Sequence, residues 1–274
     1  GAERVLGIMD EDFSLANTGK VIKHQFDGKI EFQDVKFSYD DKQEVLKGIS
    51  FKVNPGETVA IVGATGAGKS TIISLITRLY DINSGKILLD DVALKDYELY
   101  NLRSHIGVVL QDVFLFHGSI FENLSFGDET VTLEKIRSIA KEIEVDDFIM
   151  SLPGGYDYVV RERGSSISLG QRQLLSFLRA YLSDPKILIL DEATSSIDQA
   201  SEKLIQRATE KITKNRTSII IAHRLSTIEK ADKIIVMEHG KIVEEGKHME
   251  LLNKNGYYAT LYKAQLKHEV EDSE

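Results

Sequence analysis

Thr58-Val59-Ala60-Ile61-Val62-Gly63-Ala64-Thr65-Gly66-Ala67-Gly68-Lys69-Ser70-Thr71-Ile72-Ile73-Ser74-Leu75-Ile76 is the stretch from which the rest of the chain can be read. Its first five residues form a short apolar run of the kind that makes a strand buried on both faces. Ile72, Ile73, Leu75, Ile76 and, beyond the quoted stretch, Leu79 then repeat at helical spacing. Between strand and helix, Gly63 to Ser70 follows the spacing G-x-x-x-x-G-K-[ST]. Glycines let the backbone curl so that successive N–H groups point inward at phosphate oxygens. The helix opening at Gly68 to Thr71 adds its positive dipole end to the same cradle. Lys69 is placed to bridge β- and γ-phosphates, and the Ser70 hydroxyl to ligate Mg²⁺. The bland alternative is a Gly-rich turn, and the pattern arises by chance in roughly one chain per hundred of this length. Here it also has a strand before it and a helix after it, which is the context the chemistry needs.

A second constellation sits at Ile187-Leu188-Ile189-Leu190-Asp191-Glu192, two carboxylates ending another buried-strand run. In a mostly parallel sheet that end faces the ligand crevice. Asp191 would hold Mg²⁺ directly or through water, and Glu192 would polarise the water that attacks a γ-phosphate. Alone, such a pair reads as a solvated turn; beside a phosphate loop the functional reading is the stronger.

Working outward, Ile30, Phe32 and Val35 begin an alternating strand pattern, continued by Val45, Ile49, Phe51 and Val53 up to the turn Asn54-Pro55-Gly56. Leu133 to Ile143, Val145 to Met150 and Gln171 to Leu182 read as helices, Ile219 to Ile221 as a buried strand, and Ile234 to Glu244 as a hairpin around Glu238-His239-Gly240. The sum is a mostly parallel sheet with a helical insertion and an antiparallel portion near the start. With 274 residues, 42% hydrophobic, there is enough chain for a sizeable core. Zero cysteines exclude disulfides, thiol catalysis and Cys-based zinc sites. A formal charge of −9 argues against a nucleic-acid partner. No apolar run approaches the roughly 18–20 residues that cross a bilayer, and the first thirty residues lack the pattern of a signal peptide.

Ile167-Ser168-Leu169-Gly170-Gln171, lying between Lys69 and Asp191, resembles the LSGGQ signature of ABC ATPases. The resemblance covers about residues 29 to 265 and is to the nucleotide-binding domain of an ABC exporter. It implies an α/β P-loop NTPase, the ABC ATPase fold: a RecA-like core, an antiparallel β portion and a helical subdomain at about 112–184. Residues 1–28 would be the linker from an N-terminal transmembrane domain, and 266–274 a charged tail. Tyr39 matches the aromatic loop that stacks on adenine, Gln111 the Q-loop that senses Mg²⁺ and γ-phosphate, and His223 the switch histidine that contacts γ-phosphate. Each would pass for an ordinary strand-end, surface or core residue without the others. Ser195-Ser196-Ile197-Asp198 resembles the D-loop, with Asp198 reaching the other subunit. The ATP-binding set is then Tyr39, Gly63, Ala64, Thr65, Gly66, Ala67, Gly68, Lys69, Ser70, Thr71, Gln111 and His223. Lys69, Glu192 and His223 are the catalytic set, and Ser70, Gln111 and Asp191 the Mg²⁺ set.

In the family, Ser168, Leu169, Gly170 and Gln171 act across an interface, on the ATP held by a second domain. Leu169 stands where the pattern often has its first glycine, and Ile167 where it has leucine; Ser168 and Gly170, the positions that meet phosphate, are kept. Leu152-Pro153-Gly154-Gly155-Tyr156-Asp157 and the Glu162-Arg163-Gly164 element resemble exporters, not importers. The implied partners are a transmembrane domain and a second nucleotide-binding domain, as homodimer or heterodimer. The implied place is the cytoplasmic face of the cell membrane. A DNA-repair or translation ATPase of the family would carry a coiled-coil insertion or a tandem domain, and neither is seen. A catalytically silent regulatory domain would usually lack Glu192 or His223.

Overall fold

The computed structural model describes residues 17–40, 42–161, 166–192 and 197–271, with side chains as far as residue 267. Strands β1 (Ile30–Phe37) and β2 (Leu46–Val53) pair antiparallel, setting Phe32 opposite Phe51 with their rings stacked at 4.5 Å. The buried run becomes β3 (Thr58–Gly63) and leads through the Gly-rich loop into helix α1 (Lys69–Ile76). β4 (Ser84–Leu89) and β5 (Val92–Ala93) complete an antiparallel sheet of order β2-β1-β4-β5. Helix α2 (Leu99–Ser104) and β6 (Ile106–Val109), absent from the sequence reading, return the chain to the main sheet.

The helical portion follows. β7 (Gly118–Ser119) precedes α3 (Ile120–Ser125), α4 (Leu133–Glu142) and α5 (Asp146–Ser151); β8 (Val159–Val160) closes on β7, and α6 (Leu169–Leu182) returns to the sheet. Ser119 and Ser168 start α3 and α6 with capping boxes, Ser119 with Glu122 and Ser168 with Gln171, which satisfy two orphan donors each. β9 (Ile187–Asp191), α7 (Gln199–Thr213), β10 (Thr217–Ile221), α8 (Leu225–Lys230), β11 (Lys233–Glu238), β12 (Lys241–Gly246), α9 (His248–Asn253) and α10 (Tyr257–Glu271) end the described chain.

The main sheet has order β12-β11-β3-β10-β9-β6, parallel apart from the β11–β12 hairpin. Its strands alternate between two cores, as the period of two requires. Val59, Ile61, Ile187, Ile189, Ile219 and Ile221 face the side covered by the antiparallel sheet and α1. Ala60, Val62, Leu188, Leu190, Ile220 and Ala222 face the helices of the insertion, α7 and α8. Ahead of β1, Phe26 is buried against Tyr97 and His105, and the Asp90 carboxylate accepts from the Asp27, Gly28 and Lys29 amides at 2.8–2.9 Å. The chain is thus packed onto the domain before β1 begins. Among the described residues, no helix is long and apolar enough to cross a membrane.

Candidate active site

The Gly63–Ser70 loop leaves β3 at Gly63, which lies against Met237 of β11. A Cβ at Gly63 would stand 2.2 Å from the Met237 carbonyl oxygen, so only glycine fits where the loop leaves the sheet. Lys69 turns back into the loop: its Nζ donates to the Ala64 carbonyl at 3.0 Å and to that of Gly63. Burial lowers its pKa, against the pull of Asp191. The loop's own carbonyls hold the ammonium where phosphate oxygens would otherwise receive it.

Over this loop lies a cleft of about 340 Å³. Thr65, Gly66, Gly68, Lys69, Ser70 and Thr71 line it from the loop and α1, Gln111 from the segment after β6, Asp191 from the end of β9 and His223 from just past β10. Val45 and Ile221 add apolar wall that the motifs do not announce; the only signal for them is adjacency to β2 and to His223. The fold therefore brings Lys69, Ser70, Gln111, Asp191 and His223 into one cleft from four stretches of chain. Burial raises the Asp191 carboxyl to about 6, with Lys69 opposing and Glu192 adding to the rise. Burial, with Lys69 and Arg224 nearby, lowers His223 to about 4, so its imidazole is neutral at pH 7. For Mg²⁺ the donor chemistry fits: a hydroxyl, an amide oxygen and a carboxylate share the cleft, the hard oxygen ligands this cation takes alongside water and phosphate.

Glu192 is placed differently. Alternation along β9 gives Asp191 the parity of Ile187 and Ile189, toward α1, and Glu192 the parity of Leu188 and Leu190, toward α8. Glu192 is only 4% exposed and is not among the residues lining the cleft. Its Oε2 accepts from the His223 N–H at 2.8 Å and the Arg224 N–H at 3.1 Å, and its Oε1 from the Thr227 hydroxyl. Burial raises its pKa while these hydrogen bonds work to lower it. Sequence reasoning misses Thr227; its position one helical turn past His223 is the available signal.

Tyr39 stands at the edge of the site, half exposed, with its hydroxyl 3.0 Å from Thr71 Oγ1 and its ring edge-on to Phe37 and Tyr80. A half-exposed ring beside the phosphate loop suits a stacked base. Tyr39→Ala is expected to weaken ATP binding by about 5- to 150-fold, the span of one lost base–aromatic stack, measured by titration calorimetry. Tyr39→Phe is expected to stay close to the wild type.

The signature residues lie apart. None of Ser168, Leu169, Gly170 and Gln171 lines the cleft. Ser168 caps α6, accepting from the Gln171 N–H at 3.1 Å while its own N–H donates to Gln171 Oε1 at 3.1 Å. Gly170 is buried against α7, where a Cβ would lie 2.6 Å from Ser201 Cβ and 2.8 Å from Ile197 Cγ2. Asp198 caps α7 by accepting from the Ser201 N–H at 2.8 Å. Ser195, Ser196 and the Glu162-Arg163-Gly164 element lie outside the described residues.

Residues 46–195 match the family model described as ABC transporter. The chain is 47% identical over 271 residues to the uncharacterized ABC transporter ATP-binding protein YknV of Bacillus subtilis, covering 98% of this chain and 45% of that protein. It is 50% identical over 242 residues to the putative multidrug export ATP-binding/permease protein YgaD of the same organism, covering 88% and 42%. With the ATP-dependent lipid A-core flippase of Saccharophagus degradans it shares 47% over 249 residues, covering 91% and 42%. Among solved structures, a bacterial Atm1-family ABC exporter with ATP bound superposes with a TM-score of 0.82 at 37% identity, over 96% of this chain and 47% of that one. The chain spans less than half the length of each of these relatives.

Proposed function

Because the chain belongs to the ABC transporter family, we propose that it binds and hydrolyses ATP at an interface between two copies of its domain and thereby powers export across a membrane. One observation carries the reading: the phosphate loop, Gln111, Asp191 and His223 share a cleft that the signature residues of the same chain do not line. A site finished by Ser168 to Gln171 therefore needs those residues from another domain. In the working pair, the triphosphate lies on the loop amides and the N-terminus of α1. Lys69 exchanges the carbonyls of Gly63 and Ala64 for β- and γ-phosphate oxygens. Bound Mg²⁺, held by Ser70, Asp191 and Gln111, would neutralise charge on the phosphates. Neutral His223 donates a hydrogen bond toward the γ-phosphate. Glu192 takes a proton from the attacking water as its oxygen bonds to phosphorus and ADP leaves.

The ATP-binding/permease organisation of a relative such as YgaD supports a transmembrane partner joined to this domain, which would set the domain at the cytoplasmic face of the membrane. A homodimer is the simplest ATP-bound form. The test is the Mg²⁺-dependent ATPase rate per molecule against protein concentration. It is expected to rise with concentration as sites are completed in pairs. A rate that stays flat over a hundredfold range, with ATP bound, would overturn the two-chain site.

A further inference from the structure

Glu192 is held more tightly than its assigned role as catalytic base requires. A carboxylate has about four lone-pair positions, and three of them are taken here, two by the amides of His223 and Arg224 and one by the Thr227 hydroxyl. The residue is only 4% exposed, on the α8 face of the sheet, whereas the phosphates must lie on the α1 face. The carboxylate is not part of the cleft wall, where the attacking water must lie. The two amides belong to the residue that carries the switch imidazole and to its neighbour, so the same short turn serves the cleft with one side chain and restrains Glu192 with its backbone.

We propose that Thr227 and the His223–Arg224 turn form a resting latch on Glu192, which must open before hydrolysis and whose hold limits the turnover of the ATP-bound pair. This rests on the ATPase reading given above. The backbone donors are invariant to substitution, so Thr227 is the adjustable part: a positioning residue that acts through Glu192. If the released state is the minor one, weakening the latch raises its population, and turnover rises in proportion. No covalent step changes; only the fraction of molecules able to take the water's proton does.

Thr227→Val removes the hydroxyl at nearly constant volume. It is expected to raise kcat about tenfold, the scale of one hydrogen bond to a charged acceptor, with ATP affinity unchanged. Thr227→Ser should stay near the wild type, and Thr227→Val combined with Glu192→Gln should be silent. A kcat of Thr227→Val equal to or below that of the wild type, in protein that melts and binds ATP normally, would overturn the latch. A second readout needs no turnover. In the nucleotide-free protein, the amide protons of His223 and Arg224 should exchange with solvent several-fold faster in Thr227→Val than in the wild type; equal rates would also overturn it. Wild-type protein that binds ATP but never hydrolyses it would strike the ATPase reading instead, leaving the amide exchange to decide the latch.

Discussion

Glu192→Gln is expected to lower Mg²⁺-dependent ATP turnover by at least about 10²-fold while leaving ATP binding intact, because it removes the carboxylate proposed as general base and little else. The substitution is unusually clean in this structure. The side-chain amide oxygen of the variant can accept from the His223 and Arg224 amides as the carboxylate does, and its NH₂ can donate to the Thr227 hydroxyl. The neutral amide also escapes the desolvation that raises the Glu192 pKa, so the variant should melt no lower than the wild type at neutral pH. The sign is as linkage requires. A carboxyl whose folded pKa is raised costs stability above that pKa, and its neutral isostere does not. Single-turnover hydrolysis, ATP titration and thermal melting of the two proteins together make the check. Near-normal turnover would remove Glu192 from its role.

Gly170→Val is expected to abolish ATP-dependent pairing and to destabilise the domain by about 1–3 kcal/mol. Gly170 lies in the first turn of α6, directly behind the Ser168 cap, and its missing Cβ is the space occupied by Ser201 and Ile197 of the neighbouring segment. Even one added carbon, at 2.6 Å from Ser201 Cβ, forces α6 and α7 apart. The ends displaced are those carrying Ser168 and Asp198, the two residues assigned to the partner's nucleotide and to the interface. Light scattering with ATP reads the pairing, and a melting temperature lower by about 2–4 °C per kcal/mol reads the strain. Leu169→Gly, at a half-buried position in the same turn, tests whether strain or the signature itself is at fault, and should still pair. Pairing by Gly170→Val at wild-type ATP concentrations would remove the signature from the interface.

Much of this was legible without coordinates because local chemistry is repetitive. Thr58 to Ser70 names a strand, a phosphate cradle and a helix in one reading, and the structure draws β3, the loop and α1 there. Leu188 to Leu190 and Ile219 to Ile221 read as buried strands because strands covered on both faces have no polar side to alternate with; both lie in the parallel sheet. β6 and α2 were not legible: Ile106-Gly107-Val108-Val109 is too short for periodicity to separate from a turn, and it becomes a strand only by pairing with Ile187 to Leu190.

The site divides along the same line. The sequence alone determines which residues could handle phosphate, since Lys69, Ser70, Asp191 and His223 carry their chemistry wherever they are placed. It sets Asp191 and Glu192 together at the crevice end of a strand run, but does not determine that their side chains part, Asp191 into the cleft and Glu192 away from it. Which face holds the nucleotide is decided by tertiary packing, because α1 and the antiparallel sheet cover one side of the main sheet and the α8 turn covers the other. That packing puts Asp191 in the cleft and Glu192 against Thr227. It likewise turns Gly170 from a flexible position into one with no room for a side chain. Periodicity is a property of the local backbone and survives in the sequence; proximity between residues far apart in the chain exists only once the layers have closed on one another.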